Sequence, residues 1–198
     1  MKLSILCFSL LALPFAVSCA TDNEEPEALP FAAELSPKNV WDGKTFPTSE
    51  ACAKHGGFAK SPSFLVHSAP QGTNVILVSF NNDSVDGMDN GGLGTIGYVY
   101  EPNKNGEPVL LNSVKAGEIK LPKGVFLEKP HRYTDAAPSA YYAPCKPATG
   151  HEKYSVTLTA VKRSGSFANQ TTEVLEEITL PLGKLGEYEA PLFVFEED

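Results

Sequence analysis

The sequence has no cluster of lysine and arginine, and its charge is acidic. Its 24 acidic residues outnumber 16 basic ones, which gives a formal net charge of -8. Binding to nucleic acid needs clustered basic side chains against the phosphates, so a nucleic-acid partner is not expected. Electrostatic attraction to an anionic bilayer is disfavoured for the same reason. We therefore expect the partner to be a small polar ligand or a protein.

Catalytic and metal-binding motifs are also missing. The chain contains no GxSxG, SxxK, HxH, HExxH or CxxC sequence. Asp83, Asp86 and Asp89 are spaced three residues apart, which does not match the alternating oxygen ligands of a calcium loop. We therefore expect no cofactor, no metal and no enzymatic activity.

The only long apolar run is at the N-terminus, from Leu3 to Val17. It follows a lysine and precedes small residues, a pattern typical of a secretory signal over 1–18. The sequence Ala16-Val17-Ser18-Cys19 resembles a bacterial lipobox, which predicts lipidation of Cys19 and attachment to the cell envelope by a lipid anchor alone. Ordinary cleavage at the same bond or after Ala20 is the alternative, and it would release a soluble secreted protein.

An acidic, proline-containing segment follows the predicted signal. It contains TDNEEPEALP and little that could pack into a core. This composition favours a flexible tether over 19–40. The rest of the chain, 41–198, is long enough for one domain with a substantial core.

Cysteine is scarce, with four in the chain. Cys7 would leave with the signal and Cys19 would carry the lipid, so Cys52 and Cys145 remain as an even pair. Disulfides persist in exported proteins, and we therefore predict a Cys52–Cys145 bond. Two separate buried thiols are the alternative.

Short apolar runs between turn residues predict a mainly β domain. In 153–161 the apolar residues alternate with serine and threonine, which is the period of a half-buried strand. Helical spacing of apolar residues over 171–180 predicts one helix ended by Pro181. The predicted architecture is an antiparallel β-sandwich with a few short peripheral helices. The predicted strands are 63–69, 74–80, 94–102, 107–114 and 153–161.

Three stretches, in the same order, resemble the phosphatidylethanolamine-binding-protein (PEBP) family. HGGFAKSPSFLVHSAPQGTNVILVSFNND (55–83) is similar to the bacterial pattern G-x-N-x-S-P-x-L-x-W, then P-x-G-T-x-S and a strand ending in D-P-D-A-P. YYAPCKPATGHEKYSVTLTAV (141–161) resembles Y-x-G-P-C-P-P with the H-R-Y strand, and LGKLGEY (182–188) resembles the closing G-x-L-x-G-x-Y. The resemblance implies a β-sandwich with a small anion-binding pocket at one end, as in the bacterial Raf-kinase-inhibitor-like branch.

The departures from the family pattern fall on the pocket. Asn81 stands for the first acid of D-P-D-A-P and Asp83 matches the second. Thr95 stands for the pocket histidine, and Glu152 for the histidine of H-R-Y. A shift of one residue would instead bring in His151. The ligand-binding residues that the resemblance implies are Asn81, Asp83, Thr95, Ala143, Pro144, Glu152 and Tyr154.

These replacements change the expected chemistry. Two histidines can attract a phosphate, whereas Asp83 and Glu152 together would repel one. We therefore expect an anion site that has been lost or rebuilt, in an exported small-ligand-binding or protein-inhibitory module. Two alternatives are an acid/base hydrolase using Asp83 and Glu152, and a protein that interacts through its outer surfaces.

Overall fold

A computed structural model describes residues 30–53, 57–134, 137–145, 147, 150–166 and 169–186. The predicted signal, Cys19 and the first part of the predicted tether lie outside these residues. Within the described part, the chain forms eight strands and a short 3-10 turn, Thr48–Glu50. The strands are β1 (Ala32–Ser36), β2 (Ser63–Ser68), β3 (Val75–Asn82), β4 (Thr95–Val99), β5 (Val109–Leu111), β6 (Val125–Lys129), β7 (Glu152–Ser164) and β8 (Thr171–Leu185).

Two antiparallel sheets build the domain. The smaller has the strand order β1-β2-β5, and the larger has the order β6-β4-β3-β7-β8. The almost continuous apolar run of β3 predicts a strand covered on both faces, and β3 is indeed central in the larger sheet. The prediction of a mainly β, antiparallel fold is therefore confirmed.

The core lies between the two sheets. Phe64 of β2 and Phe80 of β3 meet with their ring centroids 6.4 Å apart. Ile76, Val78 and Phe80 alternate along β3 and are all 0% exposed. Because side chains in a strand point alternately to opposite faces, these three define the inner face of the larger sheet.

The helix predicted over 171–180 is wrong. These residues belong to β8, which pairs with β7 from Ser164↔Thr171 to Glu152↔Leu185. The segment is rich in β-branched residues, and a long hairpin partner outweighs helical spacing. Pro181 lies on this edge strand beside a register shift, where the missing amide hydrogen is tolerated. The expected peripheral helices are absent from the described residues apart from the 3-10 turn.

The predicted boundary between tether and domain also needs correction. β1 lies inside the range 19–40, pairs with β2 and follows the buried Phe31. The Phe31 amide donates a hydrogen bond of 2.9 Å to the Glu176 carboxylate, which holds this segment against β8. The ordered domain therefore begins before residue 41, because the acidic segment ends in apolar residues that complete the smaller sheet.

The predicted disulfide is present. Cys52 and Cys145 are bonded, with their Cα atoms 5.0 Å apart. The bond ties the segment after the 3-10 turn to the loop before β7 that contains Ala140, Pro144 and Pro147, which we call the proline loop. Across the described residues, no helix has the length and apolar character needed to span a membrane.

Candidate functional site

Three polar side chains meet where β3 ends and β7 begins. Asn82 pairs with Tyr154 in the register of these strands, so both side chains lie on the same face of the sheet. That face is the inner one, because Asn82 follows Phe80 by two residues. Glu152 precedes Tyr154 by two residues and also lies on this face. The end of the sandwich thus holds a cluster of Asn82, Glu152 and Tyr154.

The Glu152 carboxylate joins the cluster. Its Oε2 atom accepts two hydrogen bonds, one from Asn82 Nδ2 at 2.8 Å and one from the Tyr154 hydroxyl at 2.5 Å. Asn82 and Tyr154 are both buried. Burial, followed by the hydrogen bond to Glu152, raises the pKa of Tyr154 far above its ordinary value of 10.0. The cluster therefore keeps the phenol protonated and its polar atoms satisfied.

Asp83 lies on the other side of the same sheet. It follows Asn82 directly, and its carboxylate accepts a hydrogen bond from Ser155 Oγ at 2.8 Å. Ser155 Oγ also accepts a hydrogen bond from Asn81 Nδ2 at 3.3 Å, so Asn81 lies on this outer face too. Asp83 bonds to Ser155, whereas Glu152 bonds to Asn82 and Tyr154 and does not line the groove beside Asp83. The expectation that Asp83 and Glu152 share one pocket is therefore not met.

Thr95 also belongs to the outer face. Its hydroxyl lies 3.1 Å from Ser79 Oγ, and it is buried beneath the turn that precedes β4. Asn81 Oδ1 accepts a hydrogen bond from the Gly91 amide at 2.8 Å and so holds that turn in place. Thr95 therefore does not join the inner cluster. Leu93 is buried in the core, and its amide donates a hydrogen bond to the Phe80 carbonyl at 3.0 Å.

The proline loop forms the wall between the core and the disulfide. Ala143 and Pro144 are buried, and the Pro144 carbonyl accepts the Cys52 amide at 2.9 Å. The loop is thus held twice, by the covalent bond and by this hydrogen bond. Neither Ala143 nor Pro144 lines the groove beside Asp83.

A groove of about 450 Å³ opens beside Asp83 at the end of the larger sheet. This volume is in the usual range for small-molecule pockets, about 300–1,000 Å³. Asp83 and Tyr154 are the two predicted site residues that line it, and Glu152 does not. Its lining residues are Gly43, Lys44, Asp83, Lys153, Tyr154, Pro181, Gly183 and Lys184.

The strand register explains how lysines gather at this groove. Lys153 pairs with Lys184 across β7 and β8, and the Asp83 amide donates to the Lys153 carbonyl at 2.9 Å. Lys44 is held beside them, because its carbonyl accepts the Lys184 amide at 3.0 Å. The three lysines come from distant parts of the sequence, and sequence reasoning missed them.

Sequence reasoning also missed Asn82 as a member of the inner cluster. The sequence contains a signal that could have identified Asn82, since it continues the every-second-residue pattern of Val78 and Phe80 on the inner face of β3. The motif comparison assigned the site to Asn81 and Asp83 instead. His151 is exposed and lies beside Gly186, outside both the cluster and the groove. In the part of the chain that the structure describes, no three His, Cys, Asp or Glu side chains form a metal-binding group.

Comparison with known proteins gives a structural match. No family model and no curated sequence matches the chain. The crystal structure of E. coli YbcL, described as a new member of the mammalian PEBP family, matches with a TM-score of 0.50 and 16% identity. The match covers 80% of this chain and 99% of YbcL. The fold is therefore PEBP-like.

Proposed function

We propose that this protein is an exported, non-enzymatic small-ligand-binding module with a PEBP-like fold. The ligand groove is the one beside Asp83, and the ligand is a small polar molecule with an anionic group and a hydrogen-bond donor. The observation that carries this proposal is the meeting of Lys44, Lys153 and Lys184 with Asp83 around one groove. The lysines supply attraction for the anion, and the carboxylate accepts from the donor.

The placement of charge distinguishes this groove from the pocket that the sequence implied. The second acid, Glu152, is turned to the inner face and shared by Asn82 and Tyr154. The groove is consequently richer in positive than in negative charge. This supports an anion site rebuilt beside Asp83, where β7 begins and β8 ends, in place of the histidine site of the family.

The same geometry disfavours the hydrolase alternative. An acid/base pair must face one substrate across a cleft, as the two carboxylates of a glycosidase do. Asp83 bonds to Ser155 on the outer face, and Glu152 bonds to Tyr154 on the inner face. Cys145 is bonded to Cys52, so its sulfur is not a nucleophile.

Calorimetry with phosphoethanolamine, inorganic phosphate and ethanolamine tests the proposal. We expect phosphoethanolamine to bind most tightly and ethanolamine most weakly, with affinity falling as salt rises. Lys153→Gln should weaken both phosphate compounds about tenfold. Asp83→Asn should weaken the binding of phosphoethanolamine and leave that of inorganic phosphate unchanged, because inorganic phosphate has no ammonium group to donate to Asp83.

Lys162→Gln is the matched control, since Lys162 is exposed on β7 and does not line the groove. It should leave all affinities unchanged. The proposal fails if none of the three compounds binds at millimolar concentration. It also fails if Lys162→Gln and Lys153→Gln weaken binding equally, because that would reflect net charge and not a site.

Export and anchoring form a separate part of the proposal. The Cys52–Cys145 disulfide supports an oxidising compartment outside the cytoplasm. We propose that Cys19 is the lipid-bearing N-terminus of the mature chain. Intact-mass measurement on the membrane fraction should show a diacylglyceryl-modified chain that begins at Cys19. An unmodified mature chain in the soluble fraction would establish simple secretion.

A further inference from the structure

The chain contains two Asn-Gly pairs, Asn90-Gly91 and Asn105-Gly106. Asparagine is a thermolabile residue, and an asparagine before glycine is the one most prone to lose its side-chain amide. The glycine amide nitrogen attacks the side-chain carbonyl carbon of the asparagine, and glycine has no Cβ to obstruct that approach. The attack needs a glycine amide that is released from its hydrogen bond and a peptide that can rotate. Tertiary structure therefore decides which pair reacts.

Asn90-Gly91 lies in the turn before β4 and is held by hydrogen bonds on both sides. The Gly91 amide donates to Asn81 Oδ1 at 2.8 Å, and this bond is buried. The Gly91 carbonyl accepts from the Gly94 amide at 2.9 Å, and the Asn90 carbonyl accepts from Arg132 Nη2 at 3.2 Å. Gly91 itself is buried. The nitrogen that would attack is engaged, and the peptide cannot rotate without breaking these bonds.

Asn105-Gly106 lies in the connection between β4 and β5, which joins the larger sheet to the smaller one. Every residue from 101 to 108 is exposed. The Gly106 amide donates to the Asn103 carbonyl at 3.0 Å, which closes a four-residue turn. Nothing lies within 4 Å of a Cβ added at Gly106. Opening this turn therefore breaks a solvent-exposed hydrogen bond and displaces no packed neighbour of Gly106.

The two pairs consequently differ in the free energy of local opening. Exposed loops open at a cost near zero, whereas segments tied into the core open at a cost that approaches global unfolding. Water replaces the Asn103 carbonyl as soon as the exposed turn opens. Release of the Gly91 amide instead leaves the buried Asn81 side chain without that partner. The Gly106 amide is thus free for attack far more often than the Gly91 amide.

We propose that Asn105 is a site of spontaneous deamidation in the folded protein, and that Asn90 is protected from it. A base in the solvent takes the proton of the Gly106 amide, and the nitrogen then attacks Cγ of Asn105. The new C–N bond closes a succinimide ring, while the Cγ–Nδ2 bond breaks and Nδ2 leaves with a proton from water as ammonia. Water next adds to one of the two ring carbonyls and opens the ring to aspartate or isoaspartate.

The reaction needs no reagent besides water. In sum, the side-chain amide and a water molecule become a carboxylate and an ammonium ion. The modified chain is more acidic, and the isoaspartate form carries an extra methylene in the backbone of the turn between the two sheets. This inference is independent of the proposed ligand groove, because no residue of 101–108 lines that groove.

Timed incubation of the folded protein at pH 8, followed by peptide mapping, measures both asparagines in the same sample. Mass spectrometry quantifies deamidation at each one, since the acid is heavier than the amide, and chromatography separates the aspartate from the isoaspartate peptides. We expect Asn105 to react at least about tenfold faster than Asn90, because local opening limits reaction at buried amides. The same incubation in urea above the unfolding midpoint is the control. The two rates should converge there, because unfolding removes the contacts that distinguish the pairs.

Two variants test the two halves of the proposal. Asn105→Gln should remove the fast reaction, because the longer side chain must close a larger ring that forms more slowly. Asn81→Ala removes the acceptor of the Gly91 amide and should raise the rate at Asn90 while leaving the rate at Asn105 unchanged. The comparison of folded protein with urea needs no variant, so the test does not depend on whether Asn81→Ala folds.

Equal rates at Asn90 and Asn105 in the folded protein would overturn the proposal, and so would a faster reaction at Asn90. An unreactive Asn105 in the folded protein, with both asparagines reactive in urea, would overturn it as well, because the exposed turn would then protect its peptide as effectively as the buried one does.

Discussion

Tyr154 donates its hydroxyl hydrogen to Glu152 at 2.5 Å, two residues earlier on the same strand. The same carboxylate oxygen accepts from Asn82, so one acid satisfies two buried polar side chains. This arrangement places Glu152 in a structural role at the end of the sandwich.

Removing the Glu152 acceptor should destabilise the protein. Glu152→Ala leaves Asn82 Nδ2 and the Tyr154 hydroxyl unpaired, and each buried unsatisfied group costs about 1–3 kcal/mol. We expect a fall of about 2–4 kcal/mol in the free energy of unfolding, measured with urea. Glu152→Gln keeps a carbonyl acceptor and should lose less. Equal stability of the two variants would contradict the structural role.

Stability should fall steeply at alkaline pH. Burial raises the pKa of Tyr98 and Tyr141 well above 10.0, and burial with the Glu152 hydrogen bond does the same for Tyr154. Above pH 10 the unfolded chain releases these protons while the folded chain keeps them. The unfolded state then binds fewer protons, so stability falls as pH rises.

Each such tyrosine contributes a slope of about 1.4 kcal/mol per pH unit above its unfolded pKa. The effect is absent below that value, so urea midpoints at pH 8 and 9 should agree. Midpoints at pH 10.5 and 11 should fall progressively. Tyrosinate absorbance should rise together with unfolding, and its appearance in the folded protein near pH 10 from all seven tyrosines would contradict the prediction.

The disulfide should contribute strongly to stability. It links cysteines separated by 93 residues. In the chain-entropy model a loop of this length stabilises by about 4–5 kcal/mol. The Cys52→Ser, Cys145→Ser double variant should lose most of that in urea unfolding. A reducing agent should destabilise the native chain to the same level and leave the variant unaffected.

Gly94 should tolerate no side chain. Its φ is +111°, and a Cβ there would lie 2.2 Å from the Ala140 carbonyl oxygen. Gly106 has a φ of +73° with nothing within 4 Å of an added Cβ. Gly106→Ala should therefore cost only the backbone strain, about 1–2 kcal/mol.

Gly94→Ala adds a clash with backbone and should cost about 3 kcal/mol or more in all, since overpacking adds about 1–3 kcal/mol. Thermal unfolding of both variants measures the difference. If the two variants melt at the same temperature, the close approach of β4 to the proline loop does not constrain the fold.

The sequence was sufficient for the strands of the core. Alternation over 153–161 and the apolar run of β3 reflect local chemistry, because a strand buried on one face or both needs those patterns. The sequence-based prediction was wrong at β8, where the apolar residues have helical spacing but the segment pairs with β7 as a strand. It also failed at β1, since a short strand after an acidic segment is stabilised only by its partner β2.

At the candidate site, too, some features were predictable from the sequence and others depended on the tertiary structure. The sequence by itself predicted the pairing of Cys52 with Cys145, because these are the two cysteines outside the N-terminal segment 1–20. It also determined the PEBP-like character of the fold. Only the tertiary structure decided that Asp83 and Glu152 face opposite ways, since one residue of register reverses the face of a side chain. The gathering of Lys44 with Lys153 and Lys184 depends likewise on strand pairing across the chain, which no local pattern records.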